Sequence, residues 1–143
     1  MVLDDFRRYS IRNFSPKEIT DTGADLEKVQ LQTICTLQSL RERLDTKINL
    51  LKNGLTSGKH SSELHPGGKA VDVFIPWAKS KNEYPLVMIE AWKVGFNGVG
   101  VYFNEETELY TFHFDLGEKR AWIGTKETRS EPWIYKPFFR GLT

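Results

Sequence analysis

One cysteine, Cys35, in a chain of 143 residues leaves no internal disulfide to form, so stability has to come from a packed core or a bound metal. Cys35 sits in an apolar-periodic stretch with Ile34, Leu37 and Leu40 and is expected as a buried structural thiol. In mid-helix it is badly placed to meet the His and the Asn or Asp that a cysteine protease requires. No segment approaches the roughly eighteen consecutive apolar residues of a membrane-crossing helix. The first residues, Met1-Val2-Leu3-Asp4-Asp5-Phe6-Arg7-Arg8, are acidic early and lack the apolar stretch of a Sec signal peptide. Synthesis in the cytoplasm, without export by that route, is expected. Neither sign of charge prevails: 20 Lys and Arg against 19 Asp and Glu give a formal charge of +1. That balance removes the electrostatic case for a nucleic-acid or anionic-membrane partner. Repeats, low-complexity tracts and linkers are missing as well.

What is present suffices for one domain over residues 1–143, since 39% hydrophobic and 13% aromatic residues can build a single core at this length. Ser15-Pro16-Lys17-Glu18 reads as a helix start, with Ser at the N-cap, Pro at the first helical position and Glu three residues on. Leu26, Val29, Ile34, Leu37, Leu40 and Leu44 recur at spacings of three to five and predict one helix over about residues 25–44. Residues 48–51 suit a short strand. Residues 53–68 hold four glycines and four serines or threonines among sixteen, with Pro66 besides, and predict a loop. Strands are expected over residues 70–75, 99–103 and 109–116, the last two joined by a polar turn at residues 104–107 as an antiparallel pair. A second long helix is expected over residues 82–94, closed by Gly95. The fold expected is α+β, an antiparallel sheet flanked by helices.

Chemistry concentrates in two places. In His65-Pro66-Gly67-Gly68-Lys69-Ala70-Val71-Asp72, a His in a Gly-rich loop precedes an Asp on a strand by seven residues. Imidazole nitrogen and carboxylate oxygen are both good zinc ligands, and the glycines let the loop fold back toward the strand. Small Ala70 shares the Asp72 face, while Val71, Val73 and Ile75 form the core-facing side. In Tyr110-Thr111-Phe112-His113-Phe114-Asp115-Leu116 the alternation sends Tyr110, Phe112, Phe114 and Leu116 one way and Thr111, His113 and Asp115 the other. A His and an Asp on one strand face suit a metal ligand beside a proton-handling carboxylate. Should His113 join His65 and Asp72, three protein ligands would leave a fourth position open, the mark of catalytic zinc.

His-x-x-Gly-x-Ala-x-Asp, carried here by His65, Gly68, Ala70 and Asp72, resembles the signature of the M15 peptidase family. That family comprises zinc-dependent D-Ala-D-Ala carboxypeptidases and murein endopeptidases and shares a fold with the hedgehog signalling domain. The likeness is greatest to its branch of bacterial murein endopeptidases and phage lysins. Here Gly98-Val99-Gly100-Val101-Tyr102 leads to His113-Phe114-Asp115-Leu116-Gly117, then Arg120 and Trp122. Asn13-Phe14-Ser15-Pro16-Lys17-Glu18 and the helix end Leu40-Arg41-Glu42-Arg43-Leu44 look similar too, so the resemblance spans about residues 13–122 in matching order. It implies a hedgehog/DD-peptidase-like fold, Zn2+ held by His65, Asp72 and His113, and the peptide stem of peptidoglycan as substrate. The chain also departs from the pattern. Glu63 stands where Ser is usual, Lys52-Asn53-Gly54-Leu55-Thr56 lacks an Arg that assists substrate or transition state, and Tyr110 takes the place of a catalytic carboxylate in several members.

The expected activity is therefore zinc-dependent hydrolysis of an amide bond in the stem or cross-link of peptidoglycan. Asp115 is the candidate catalytic carboxylate, either taking the water's proton or orienting His113 from behind. Glu63 is a weaker candidate base. His60 is expected on the surface, and Trp77, Trp92, Trp122 and Trp133 in the core or at its rim, with Trp122 able to line the cleft. The runner-up is a catalytically inactive cell-wall-binding or virion module of the same fold, and a zinc-free structural domain comes third. A monomer acting on the cell wall after phage-type release, or from a virion, completes the expectation.

Overall fold

The computed structural model of the chain describes residues 1–60 and 62–125. Trp133 and the rest of the expected domain beyond residue 125 lie outside the described residues. Within them the helices are α1 (Asp4–Arg8), α2 (Pro16–Asp21), α3 (Leu31–Leu44) and α4 (Tyr84–Val94). The strands are β1 (Asn49–Leu50), β2 (Ala70–Phe74), β3 (Gly98–Asn104), β4 (Leu109–Asp115) and β5 (Arg120–Thr125).

Local chemistry sets the start of α2, whereas an unexpected break before α3 comes from farther along the chain. Ser15 caps α2 through a reciprocal pair: its Oγ accepts the Glu18 N–H at 3.1 Å, and the Glu18 carboxylate accepts the Ser15 N–H at 3.0 Å. The single helix expected over residues 25–44 is instead a 3-10 turn, Leu26–Lys28, then extended backbone at Val29 and Gln30, then α3. Apolar spacing runs on through the turn, which hides the interruption in the sequence. The break has a tertiary cause. The Gln30 N–H and the Thr33 hydroxyl both donate to the carbonyl of Gly68, at 3.1 and 2.7 Å, docking the Gly-rich loop onto the head of α3. Gly68 has φ +72°, and a Cβ there would lie 1.9 Å from the Lys28 carbonyl oxygen, so only glycine permits this seat. Cys35, expected fully buried, is only partly so; burial and the nearby Asp5 push its thiol pKa up.

The sheet runs β1-β2-β4-β3-β5, and β1/β2, β2/β4 and β4/β3 are antiparallel. An all-antiparallel sheet was expected, but β5 pairs parallel to β3, so the sheet is mixed. Residues 116–119 carry the chain from β4 across the end of β3 to its far side. A strand reversed with respect to β4 then has to run with β3, and the Arg120 N–H fixes the landing by donating to the Asn97 carbonyl at 3.0 Å.

Alternation assigns the two faces. Val71, Val73 and Ile75, Val99 and Val101, and Phe112 and Phe114 point one way into a single cluster with Ile34, Leu37 and Leu40 of α3 and Val87, Met88 and Ala91 of α4. Each of these fully buried Val, Leu, Ile, Met and Phe side chains contributes about 1.5–3 kcal/mol relative to exposure. Tyr110 belongs to this side, against Tyr84 and Phe103. Trp77, expected in the core or at its rim, is exposed. No helix among the described residues is long and apolar enough to cross a membrane.

Candidate metal centre

The sheet's other face carries the polar residues in register. Asp72 on β2 pairs with His113 on β4, His113 with Gly100 on β3, and Gly100 with Trp122 on β5. One rung along, Ala70, Asp115, Gly98 and Arg120 align in the same way. Directly opposed residues of an antiparallel pair stand close enough for short side chains to meet. Asp72 Oδ1 accordingly lies 3.0 Å from His113 Nδ1.

His65 arrives from the loop. Its turn is tied down at several points: Gly68 N–H donates to the His65 carbonyl at 2.9 Å, Gly67 N–H to Glu63 at 2.9 Å, and Lys69 N–H to Leu64 at 2.8 Å. His65 Nε2 is thereby placed 3.3 Å from His113 Nδ1 and 3.4 Å from Asp72 Oδ1. The structure thus brings together the three residues expected as ligands. Both imidazoles are only slightly exposed, His65 at 4% and His113 at 8%.

The far nitrogen of each imidazole is also engaged. His65 Nδ1 is 3.0 Å from the Leu55 carbonyl, which can only accept, so Nδ1 carries the hydrogen and Nε2 turns a lone pair to the centre. His113 Nε2 is 2.7 Å from Asp115 Oδ2, which leaves its Nδ1 facing inward. Acceptors behind the ligating rings fix the tautomers that metal binding needs. Tetrahedral zinc with bonds near 2.0–2.1 Å separates its ligand atoms by about 3.3–3.4 Å. A triangle of 3.0, 3.3 and 3.4 Å matches one face of that tetrahedron. The donor set and its spacing therefore fit a zinc ion.

Protonation reports the same crowding. Burial alone would lower the pKa of His113, but the hydrogen bonds and charges of Asp115 and Asp72 prevail and push it up to about 9. Burial would likewise raise Asp72; His113 and His65 outweigh it and hold the carboxyl well below the usual range. A proton on His113 Nδ1 would bridge the ring to Asp72 in the metal-free protein.

Asp115 is fully buried. Its Oδ1 accepts the Gly117 N–H at 2.9 Å while Oδ2 faces His113, and Arg120 Nη2 stands 3.6 Å away. Burial raises its pKa, but His113, Gly117 and Arg120 together bring it below the ordinary value. Of its two expected roles, the geometry suits orientation of His113. The glycines of β3 are the reason it fits: a Cβ on Gly98 would lie 2.2 Å from Asp115 Oδ2, and one on Gly100 2.3 Å from the Trp122 ring. Trp122 lies over β3 with its ring 5.2 Å from that of His113 and its Nε1–H donating to Tyr102 Oη at 2.7 Å.

His60 departs from expectation. Rather than lying free on the surface, it stacks on His65 at 3.7 Å and 15° and donates through Nε2 to the Ser57 carbonyl at 2.7 Å. His60, His65 and Asp72 offer ligand atoms all within 4.8 Å of one another, a second grouping with metal-binding spacing. The tighter triangle with His113 is the better centre, because in-plane lone pairs of two near-parallel stacked rings cannot converge on one ion. Only the third dimension brings His60 here; its place in a flexible, polar loop carried no such signal. Glu63 is exposed, and Tyr110 faces the core.

No protein-family profile, curated protein or solved structure matches this chain.

Proposed function

We propose that His65, Asp72 and His113 hold one Zn2+ and that the protein is a hedgehog/DD-peptidase-like zinc peptidase. Its substrate is an amide bond in the peptide stem or cross-link of peptidoglycan. The observation that carries the reading is the donor triangle with an acceptor behind each imidazole, built from the residues of the His-x-x-Gly-x-Ala-x-Asp signature and the His-x-Asp strand. Bound zinc would lower the pKa of a coordinated water towards 7 and polarise the scissile carbonyl. Asp115 keeps the His113 ring at the angle that aims Nδ1 inward, and the Leu55 carbonyl does the same for His65. Asp72, about three-tenths exposed, marks the side from which a ligand enters. Trp122 walls the centre on the side of β5.

Digestion of purified cell walls tests the reading. Free amines should appear without new reducing sugar ends, stop on chelation and resume with zinc. Reducing ends, or no amines under any metal, would defeat it.

One observation favours a second reading, a zinc-binding wall or virion module that does not cleave. Asp115 is buried and committed to His113 and Gly117, and Tyr110 faces the core, so neither position offers a carboxylate free to take a proton at the centre. Such a module would sediment with walls in a zinc-dependent manner and release nothing.

A further inference from the structure

We propose that Arg120 is a carboxylate-binding residue: together with Trp122 it forms an anion subsite beside the metal centre that recognises an acidic group on the substrate. The inference rests on the peptidase reading for the centre itself, and it names what the neighbouring surface selects.

Arg120 and Trp122 are on β5, on the same sheet face as His113, one and no rungs removed from it. The guanidinium carbon lies 4.9 Å from the Trp122 ring centroid, and the same ring lies 5.2 Å from His113. Trp122 therefore neighbours both His113 and the guanidinium. Stacking holds the guanidinium in place without consuming its hydrogens.

Among the described residues those hydrogens make no hydrogen bond. Arg120 Nε is buried with no hydrogen-bond partner among the described residues. The nearest carboxylate, Asp115, is 3.6 Å from Nη2, beyond hydrogen-bond reach, and its oxygens already serve His113 and Gly117. With Nε buried, the 38% exposure of the side chain belongs to its outer part, which faces solvent at the edge of the centre. Neutralising Asp115 accounts for the charge of Arg120, but not for a guanidinium seated over an indole whose outer donors make no hydrogen bond among the described residues. A planar fork of that kind matches a carboxylate through two parallel hydrogen bonds.

Reach limits which carboxylate. An extended peptide advances about 3.3–3.6 Å per residue. A peptide whose cut bond lies at the centre and which continues past Trp122 would bring a carboxylate one or two residues beyond that bond to Arg120. Two sources share this chemistry, a free C-terminal carboxylate and the side carboxylate of an acidic stem residue.

The experiment uses the zinc-loaded chain and calorimetry with short stem peptides. One pair is N-acetyl-D-alanyl-D-alanine and its C-terminal amide; the other is a C-terminally amidated peptide with a glutamyl residue and its alanyl counterpart. The wild type should favour the acidic member of one pair by about ten- to a hundredfold, the range of a charge-assisted pair. The first pair responding assigns the terminal carboxylate, the second the side carboxylate. Arg120→Gln should abolish the preference while its zinc content stays at the wild-type value. Equal affinity of the wild type for both members of both pairs overturns the subsite and needs no variant. A preference that survives in a folded Arg120→Gln protein overturns it too, since zinc alone would then be selecting the acid. Zinc content is measured separately. Failure of the chain to take up zinc would remove the peptidase reading, and an Arg120-dependent preference in that same chain would still keep the subsite.

Discussion

Asp72 and His113 stand directly opposite each other in the β2–β4 ladder, with Asp72 Oδ1 3.0 Å from His113 Nδ1, while Asp115 Oδ2 lies 2.7 Å from the ring's other nitrogen. One imidazole is thus gripped by a carboxylate at each edge. The grip at Nδ1 belongs to the centre and the grip at Nε2 to its support, which separates what the neighbouring variants should do.

Zinc should bind at one ion per chain. His65→Ala and His113→Ala should each abolish stoichiometric binding, whereas His60→Ala should keep it, since His60 stacks on His65 without sharing the triangle. Equilibrium dialysis with elemental analysis decides. Full occupancy in both of the first two variants would remove the assignment.

Asp115→Asn retains the size of the side chain but loses the charge behind His113. Zinc affinity should fall by about 10–100-fold, as for other acceptors behind metal-bound histidines. Any loss of wall hydrolysis at limiting zinc should be largely recovered at saturating zinc. A loss of turnover of about 10²–10⁴-fold with unchanged affinity would instead make Asp115 the proton acceptor.

Acidity should act on the metal-free protein with a defined sign. The pKa of His113 rises from 6.5 to about 9 on folding, so its stabilising contribution is complete below pH 6.5 and is lost as pH climbs through 9. Asp72 is depressed from 3.8, so its contribution is present above that value and fades as pH falls. Metal-free protein should therefore melt highest between about pH 4 and 6.5. Zinc needs His113 without its proton, so zinc affinity should rise about tenfold per pH unit over the approach to pH 9. Melting curves and zinc titrations across pH read both; a metal-free melting point that rises from pH 6.5 to 9 would contradict the bridged proton.

Gly100→Ala places a Cβ 2.3 Å from the Trp122 ring and Gly98→Ala one 2.2 Å from Asp115 Oδ2. Each should cost about 1–3 kcal/mol of stability through overpacking. They should differ in effect on the centre: Gly98→Ala should weaken zinc by moving Asp115, and Gly100→Ala should chiefly disturb Trp122. Denaturant unfolding and zinc titration of the two variants make the comparison, and an unperturbed Gly98→Ala protein would count against the packing described.

The faces of β2 and β4 could be read in advance because a strand alternates with a period of two, so the apolar series Val71, Val73, Ile75 and Phe112, Phe114 leaves Asp72, His113 and Asp115 no choice of side. The Ser15–Glu18 cap was legible for a similar reason, since both partners lie within one turn. The sequence by itself thus determined which residues share the polar face and where most elements start and stop. Tertiary structure alone decided the rest. The parallel seat of β5 beside β3 depends on where a four-residue connection lands. The break before α3 depends on a carbonyl 38 residues away, at Gly68, accepting the Gln30 N–H. The stacking of His60 on His65 and of Arg120 on Trp122 depends on loops and strands meeting in space. Periodicity encodes direction along one element, but the distance between two elements is set only when the core that separates or joins them has packed.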